Sequence, residues 1–203
     1  MWVPGYIFER RGWIGALILF PAMLLAFLSR PRIGENSVSE IALDALAWLL
    51  LACGGGMRLW ATMYIGGRKG KKLVTRGPYA LCRHPLYVGS FLIILALMVL
   101  LKSLVFAGAV AVVLVAYTAF IIPSEEAYLR SIFGGEYAEY CRWAPSYLPN
   151  LRRWRRPGLA RVKVSAVMLE FVRVLGCVLF AGGCETLLAL RAHGPWPYLF
   201  NLP

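Results

Sequence analysis

Five stretches of the chain are nearly free of charge, and basic or turn-forming residues bound each one. Residues 13–28 carry no charged side chain over 16 positions, with Arg10, Arg11, Arg30 and Arg32 as flanks. Residues 41–65 are apolar except for Asp44 near the start and Arg58 near the end. Gly54, Gly55 and Gly56 lie in the middle of this run, where small residues let a second helix approach closely. Residues 86–101 and 103–122 are separated only by Lys102, so the chain turns back there in a tight helical hairpin. The last run, 164–190, contains Glu170, Arg173 and Glu185 and is uncharged only over 174–184. Glu170 and Arg173 are three apart on one helical face, where an ion pair makes their burial tolerable.

At about 1.5 Å per residue, a hydrocarbon core of ~30 Å consumes roughly 20 residues per crossing. The pattern therefore predicts an all-α, polytopic transmembrane bundle of about five helices, with no room for a separate soluble catalytic domain. The first run is slightly short, and a cleavable signal peptide is its rival reading, but Ser29-Arg30-Pro31 offers no prompt small-x-small cleavage site. The organisation reads as two N-terminal membrane helices over 1–65, a central segment over 66–151, and a basic linker with an extra helix over 152–203.

Composition agrees: 60% of the residues are hydrophobic and 16% charged, against about a quarter charged in soluble domains. The net charge of +12 alone suggests a nucleic-acid partner. Its distribution does not, because the cations gather at the ends of apolar runs, as in cytoplasmic loops of membrane proteins. With the N-terminus inside, the inner segments hold 16 Lys and Arg and the outer ones 4. This count predicts a cytoplasmic N-terminus and an external C-terminus. The cluster Arg152, Arg153, Arg155, Arg156, Arg161 and Lys163 suits anionic headgroups. The five cysteines form no C-x-x-C pair and His84 and His193 are the only histidines, so neither a metal site nor a disulfide framework is expected.

The hairpin brings 83–89 and 124–142 to one membrane surface. These segments hold Arg83, His84, Pro85, Tyr87 and Gly89, then Glu125, Glu126, Tyr137, Tyr140 and Arg142. Taken singly, the tyrosines also fit an aromatic belt, Gly89 fits helix packing, and Arg83 fits an interface marker. The adjacent Glu125 and Glu126 fit either a partner for nearby arginines or a receptor for a cationic ligand.

In order, Leu73-Val74-Thr75-Arg76-Gly77-Pro78-Tyr79, Arg83-His84-Pro85-Leu86-Tyr87-Val88-Gly89, Glu125-Glu126, and Phe133-Gly134-Gly135-Glu136-Tyr137 with Tyr140 form a pattern. It resembles the integral-membrane methyltransferases of the isoprenylcysteine carboxyl methyltransferase and phospholipid methyltransferase superfamily. The resemblance covers roughly 58–151. It implies an enzyme that uses S-adenosylmethionine, bound at the cytosolic face, to methylate a membrane lipid or lipid-anchored acceptor. It further implies that His84, Tyr87 and Gly89 line the cofactor pocket and that Glu125 or Glu126 receives its cationic end; beside them the chemistry adds Arg83, Pro85, Tyr137 and Tyr140 to the cofactor set and Glu126 and Arg142 as candidates for the reaction. The chemistry is consistent, since the sulfonium and ammonium suit carboxylates, the carboxylate suits Arg83 or His84, and adenine suits a flat aromatic wall. In relatives an arginine often occupies the place of Ser146, for which Arg142 is the substitute expected here. The rivals are an NADPH-dependent membrane reductase resembling the C-terminal part of sterol reductases, and a non-catalytic lipid-binding membrane protein. A polyphosphate cofactor is disfavoured by the Glu125-Glu126 pair.

Overall fold

The computed structural model describes residues 11–28, 38–68, 72–150, 152 and 162–193. Arg10, Arg30, Arg32, Lys69, Lys71, Arg153, Arg155, Arg156 and Arg161 lie outside the described residues. Among the described residues every regular element is helical: α1 (Arg11–Leu28), α2 (Val38–Ile65), α3 (Pro78–Leu81), α4 (Pro85–Leu101), α5 (Leu104–Ala116), a π-helical turn (Tyr117–Ile121), α6 (Ile122–Trp143) and α7 (Val164–His193). Helices satisfy their own backbone groups, which hydrocarbon cannot do for them. Val38–Ile65, Leu104–Trp143 and Val164–Arg191 are long and apolar enough to cross a membrane, and Gly15–Leu28 and Pro85–Leu101 are shorter apolar helices. The protein is thus an all-α integral-membrane bundle.

The helices group into two compact units. One comprises Met1–Leu50, Ile94–Glu125 and Val178–Pro203. In it α1 packs along α5. The expected hairpin turn falls at Lys102, which adopts φ 49°. Its ammonium lies 3.0 Å from Glu40 and 2.8 Å from Asp44, two carboxylates one helical turn apart on α2. Ser103 then caps α5 by accepting the Phe106 amide. Pro123 does not end the helix that follows. The π-helical turn before it bonds the Ile122 amide to the Tyr117 carbonyl, the wider repeat by which a helix absorbs a ring that would crowd a carbonyl in a regular turn.

The other unit comprises Leu51–Ile93 and Glu126–Cys177. Here Gly54 faces α4: a Cβ on it would lie 2.7 Å from the Gly89 carbonyl oxygen, so the two backbones touch. Gly55 faces Val174 of α7, whereas Gly56 faces open space. Two of the three glycines therefore serve the close approach that their pattern predicts, each toward a different helix. Glu170 bonds Arg173 at 3.3 Å as expected, but its shorter contact, 2.6 Å, is to Arg58. Within α6, Gly134 adopts φ 53° and ψ −122°, breaking the helix. That backbone conformation is open essentially to glycine alone. After the break, Tyr137 and Tyr140 pack with Ala144 in a buried cluster against Leu73, Leu129 and Phe133.

Candidate active site

The segment around 78–84 is fixed before any ligand chemistry is considered. Pro78 opens α3, and α3 ends at Cys82, whose extended backbone carries the chain toward α4. Three long-range bonds then fasten this segment to the end of α6 and the chain that follows it. The Tyr140 hydroxyl donates to the Tyr79 carbonyl at 2.7 Å, the Arg83 amide donates to the Pro145 carbonyl at 2.8 Å, and the Asn150 amide donates to the Leu81 carbonyl at 3.0 Å. Cys82 lies inside this fastening, and burial pushes its thiol up to about 11.

The side chains of Arg83 and His84 meet Glu126 at the start of this unit's part of α6. His84 Nε2 lies 2.9 Å from Glu126 Oε1, and Arg83 Nη1 lies 3.2 Å from the same oxygen. A carboxylate only accepts, so His84 presents Nε2–H to it. The Arg83 guanidinium reaches further. Nη1 also donates to Cys141 Sγ at 2.8 Å, and Nη2 donates to the Ser146 hydroxyl. Burial works against this charge, but Glu126 and Cys141 outweigh it and raise the Arg83 pKa above its usual value. Its Nε, like the Tyr137 hydroxyl, is buried with no oxygen or nitrogen partner. Around His84 stand two rings, Tyr87 at 5.8 Å between centroids and Tyr147 at 6.1 Å. Burial, reinforced by the Glu126 charge, raises the Tyr147 pKa.

The expected segments therefore do converge, through Arg83, His84 and Glu126. Glu126 is a partner of Arg83 and His84, while Glu125 is half-buried in the other unit. Tyr137 is 1% exposed and Tyr140 3%, so they are core residues and not part of an interfacial belt. Pro85 begins α4 and is buried. Gly89 is turned toward α2, where Arg58 Cγ would lie 2.6 Å from an added Cβ. Arg142 is exposed. The sequence reading overlooked Cys141 and Tyr147, which carry no charge and no motif. It treated Ser146 only as a departure from a pattern, although that hydroxyl is a partner of Arg83. Among the described residues, no group of three His, Cys, Asp or Glu side chains is placed to hold a metal ion.

The phospholipid methyltransferase family matches residues 45–136, which include Arg83, His84 and Glu126. The nickel-cobalt-cadmium resistance protein NccN of Alcaligenes xylosoxydans xylosoxydans is 32% identical over 208 residues, covering 91% of this chain and 95% of that protein. The cobalt-zinc-cadmium resistance protein CzcN of Cupriavidus metallidurans is 42% identical over 109 residues, covering 54% of this chain and 50% of CzcN. Protein-S-isoprenylcysteine O-methyltransferase B of Arabidopsis thaliana is 42% identical over 78 residues, covering 38% of this chain and 40% of that enzyme. The match thus spans nearly the whole of NccN but half or less of the other two. No solved structure matches the chain. A methyltransferase match lying over the residues that build the Arg83–His84–Glu126 cluster, in an all-helical membrane bundle, places this chain in the isoprenylcysteine carboxyl methyltransferase and phospholipid methyltransferase superfamily.

Proposed function

We propose that the protein transfers a methyl group from S-adenosylmethionine to a lipophilic acceptor, a lipid amine or a lipid-anchored carboxylate, at the cytoplasmic face of the membrane. The observation that carries this reading is the Arg83–His84–Glu126 cluster, which gathers two donors and one carboxylate where the rings of Tyr87 and Tyr147 stand beside His84. The fit to the cofactor is chemical. A sulfonium and an ammonium call for a carboxylate and aromatic faces, and a carboxylate calls for fixed N–H donors. Arg83 Nε, buried without a partner, is a donor still available to an anion.

When bound, S-adenosylmethionine supplies a methyl group already activated by sulfonium, so the protein's contribution is alignment and exclusion of water. Arg83 and His84 bind and orient, and their own positions are fixed by Pro145, Ser146 and Glu126. Glu126 balances the Arg83 charge and, for an amine acceptor, is the group placed to receive the His84 Nε2 proton as the imidazole takes up the acceptor's proton at Nδ1. Tyr137 and Tyr140 brace this arrangement from the core. We assign Gly89 to the seating of α4 on α2 and the exposed Arg142 to contact with the incoming acceptor. The methyltransferase core is residues 66–151, and the basic run 152–163 holds its surface against anionic headgroups.

The acceptor enters from the bilayer, because an apolar molecule dissolved in a leaflet reaches a membrane-surface site without crossing water. The names of NccN and CzcN point to metal resistance as the setting in which the methylated product is used. The test is to incubate membranes containing the protein with methyl-labelled S-adenosylmethionine and to partition the products. Protein-dependent label in the organic phase is expected. Label confined to small water-soluble products shows a different acceptor class.

A further inference from the structure

Arg58 sits inside the apolar run of α2, and a charge at such a position persists only with partners. Its guanidinium is shared between two other helices. Nε lies 2.6 Å from Glu170 Oε1 of α7, and Nη1 donates to the Ser90 hydroxyl of α4. That hydroxyl donates in turn to the Leu86 carbonyl at 2.9 Å. The stem of Arg58 covers Gly89, filling the space a Cβ would take. Glu170 is 4% exposed, so its carboxylate is held within the protein.

α7 lies antiparallel along this stretch of α2. A Cβ on Gly55 would lie 2.7 Å from Val174 Cγ1, and one on Gly66, just past the end of α2, would lie 3.1 Å from the Ala166 Cβ, so rising numbers along α2 and its exit meet falling numbers on α7. The Arg58–Glu170 pair falls between these two contacts. What Arg58 grips on its other side is the first turn of α4, from Leu86 to Ser90. That turn carries Tyr87, and it continues directly from His84, whose carbonyl accepts the Val88 amide at 3.0 Å.

A buried ion pair is poor evidence for stability, since well-packed apolar residues hold helices together at least as well. A guanidinium does something apolar residues do not: its planar fork directs two bonds at fixed angles. Here one is aimed at α7 and one at α4. We infer that Arg58 is a positioning residue for methyl transfer, coupling the docking of α7 through Glu170 to the orientation of the α4 turn that carries Tyr87 and adjoins His84. This rests on the methyltransferase reading above. It makes α7, which lies beyond the matched residues 45–136, a working part of the enzyme.

The test uses the full chain in lipid nanodiscs, with Ser90→Ala, Glu170→Gln, Glu170→Asp and Arg58→Lys variants. Amide exchange over residues 86–90 and equilibrium dialysis of labelled S-adenosylmethionine are read in parallel with melting temperature. Faster exchange in that turn and binding weakened about tenfold are expected for Glu170→Gln and Arg58→Lys, with recovery in Glu170→Asp. Because both ends act through Arg58, Ser90→Ala combined with Glu170→Gln should bind no more weakly than the weaker single variant. Lower melting temperatures with unchanged exchange over 86–90 and unchanged affinity show a plain structural clamp and overturn the inference. An unaltered protein that binds no S-adenosylmethionine overturns the cofactor reading and the role of Arg58 with it. That result is distinct from the clamp outcome, in which the unaltered protein binds.

Discussion

His84 Nε2 and Glu126 Oε1 lie 2.9 Å apart although 42 positions separate the two residues in the chain. Two apolar helices intervene, and the bond joins the start of one to the polar continuation of the other. Arg83 adds its own contact to the same oxygen, so Glu126 is the point through which both N–H donors are held.

Replacing Glu126 by Gln should therefore act on both donors at once. The charge-assisted contacts are lost while the Arg83 guanidinium stays largely buried, a cost of about 2 kcal/mol and roughly tenfold or more in S-adenosylmethionine affinity. Equilibrium dialysis with the purified variant measures it. Full affinity in Glu126→Gln would remove this carboxylate from the site.

Tyr140 and Tyr137 should respond differently to loss of the hydroxyl. Tyr140→Phe removes a buried bond of 2.7 Å to the Tyr79 carbonyl, a loss of roughly 1–3 kcal/mol. Tyr137→Phe removes a hydroxyl that has no oxygen or nitrogen partner, so its melting temperature should stay within a degree or so of the unaltered protein. Thermal unfolding in detergent compares the two, and equal losses contradict the assigned bonding.

Gly134→Ala should destabilise the polar half of α6. Nothing lies within 4 Å of an added Cβ, so the penalty is conformational and not steric crowding. Forcing alanine to φ 53° and ψ −122° costs roughly 1–3 kcal/mol. The observable is a lower melting temperature together with increased proteolysis near residues 130–143.

Cys82 should resist alkylation. The thiolate is the reactive species, and a pKa raised to about 11 leaves a very small thiolate fraction at about pH 8. Modification should accelerate as pH climbs toward that value. Mass spectrometry after maleimide treatment at increasing pH, with a free cysteine peptide as comparison, reads the difference. Labelling of Cys82 near neutrality as fast as that of the peptide thiol would mean that the α3 segment opens readily.

The charge count predicts that 66–84 faces the cytoplasm. A cysteine introduced at the exposed Lys72 should therefore be inaccessible to an impermeant reagent in intact cells and accessible after lysis. Rapid labelling in intact cells reverses the orientation.

The helices and the hairpin were legible in the sequence because a bilayer imposes one repeated demand, a long uncharged run, and Lys102 interrupts the central pair at a single position. The convergence of Arg83 and His84 with Glu126 followed from that hairpin. Side-chain partners at longer range were not legible in the same way. Arg58 stood out as a charge in an apolar run, but nothing local says that its partner is Glu170, 112 positions away, because α7 returns along α2 only in the folded bundle. Pro123 looks like a stop signal, and only the π-helical turn, which has no sequence marker of its own, lets the helix pass through it. Gly89 is compatible with a ligand or with a helix, and the chain around it does not say which it meets.

The hydrogen bond from Arg83 to Ser146 limits how parts of this superfamily can be exchanged. The family pattern that this sequence resembles often has an arginine at the place of Ser146. Introduced alone into this chain, that arginine would set a second guanidinium against the one that now uses the serine hydroxyl as its acceptor. Two like charges would compete for Glu126 and the Cys141 sulfur. A chimaera that imports the 144–149 segment of such a relative is therefore compatible with this scaffold only if the surroundings of Arg83 are imported with it. The two segments would have to be exchanged as one module even though α4, α5 and α6 separate them along the chain.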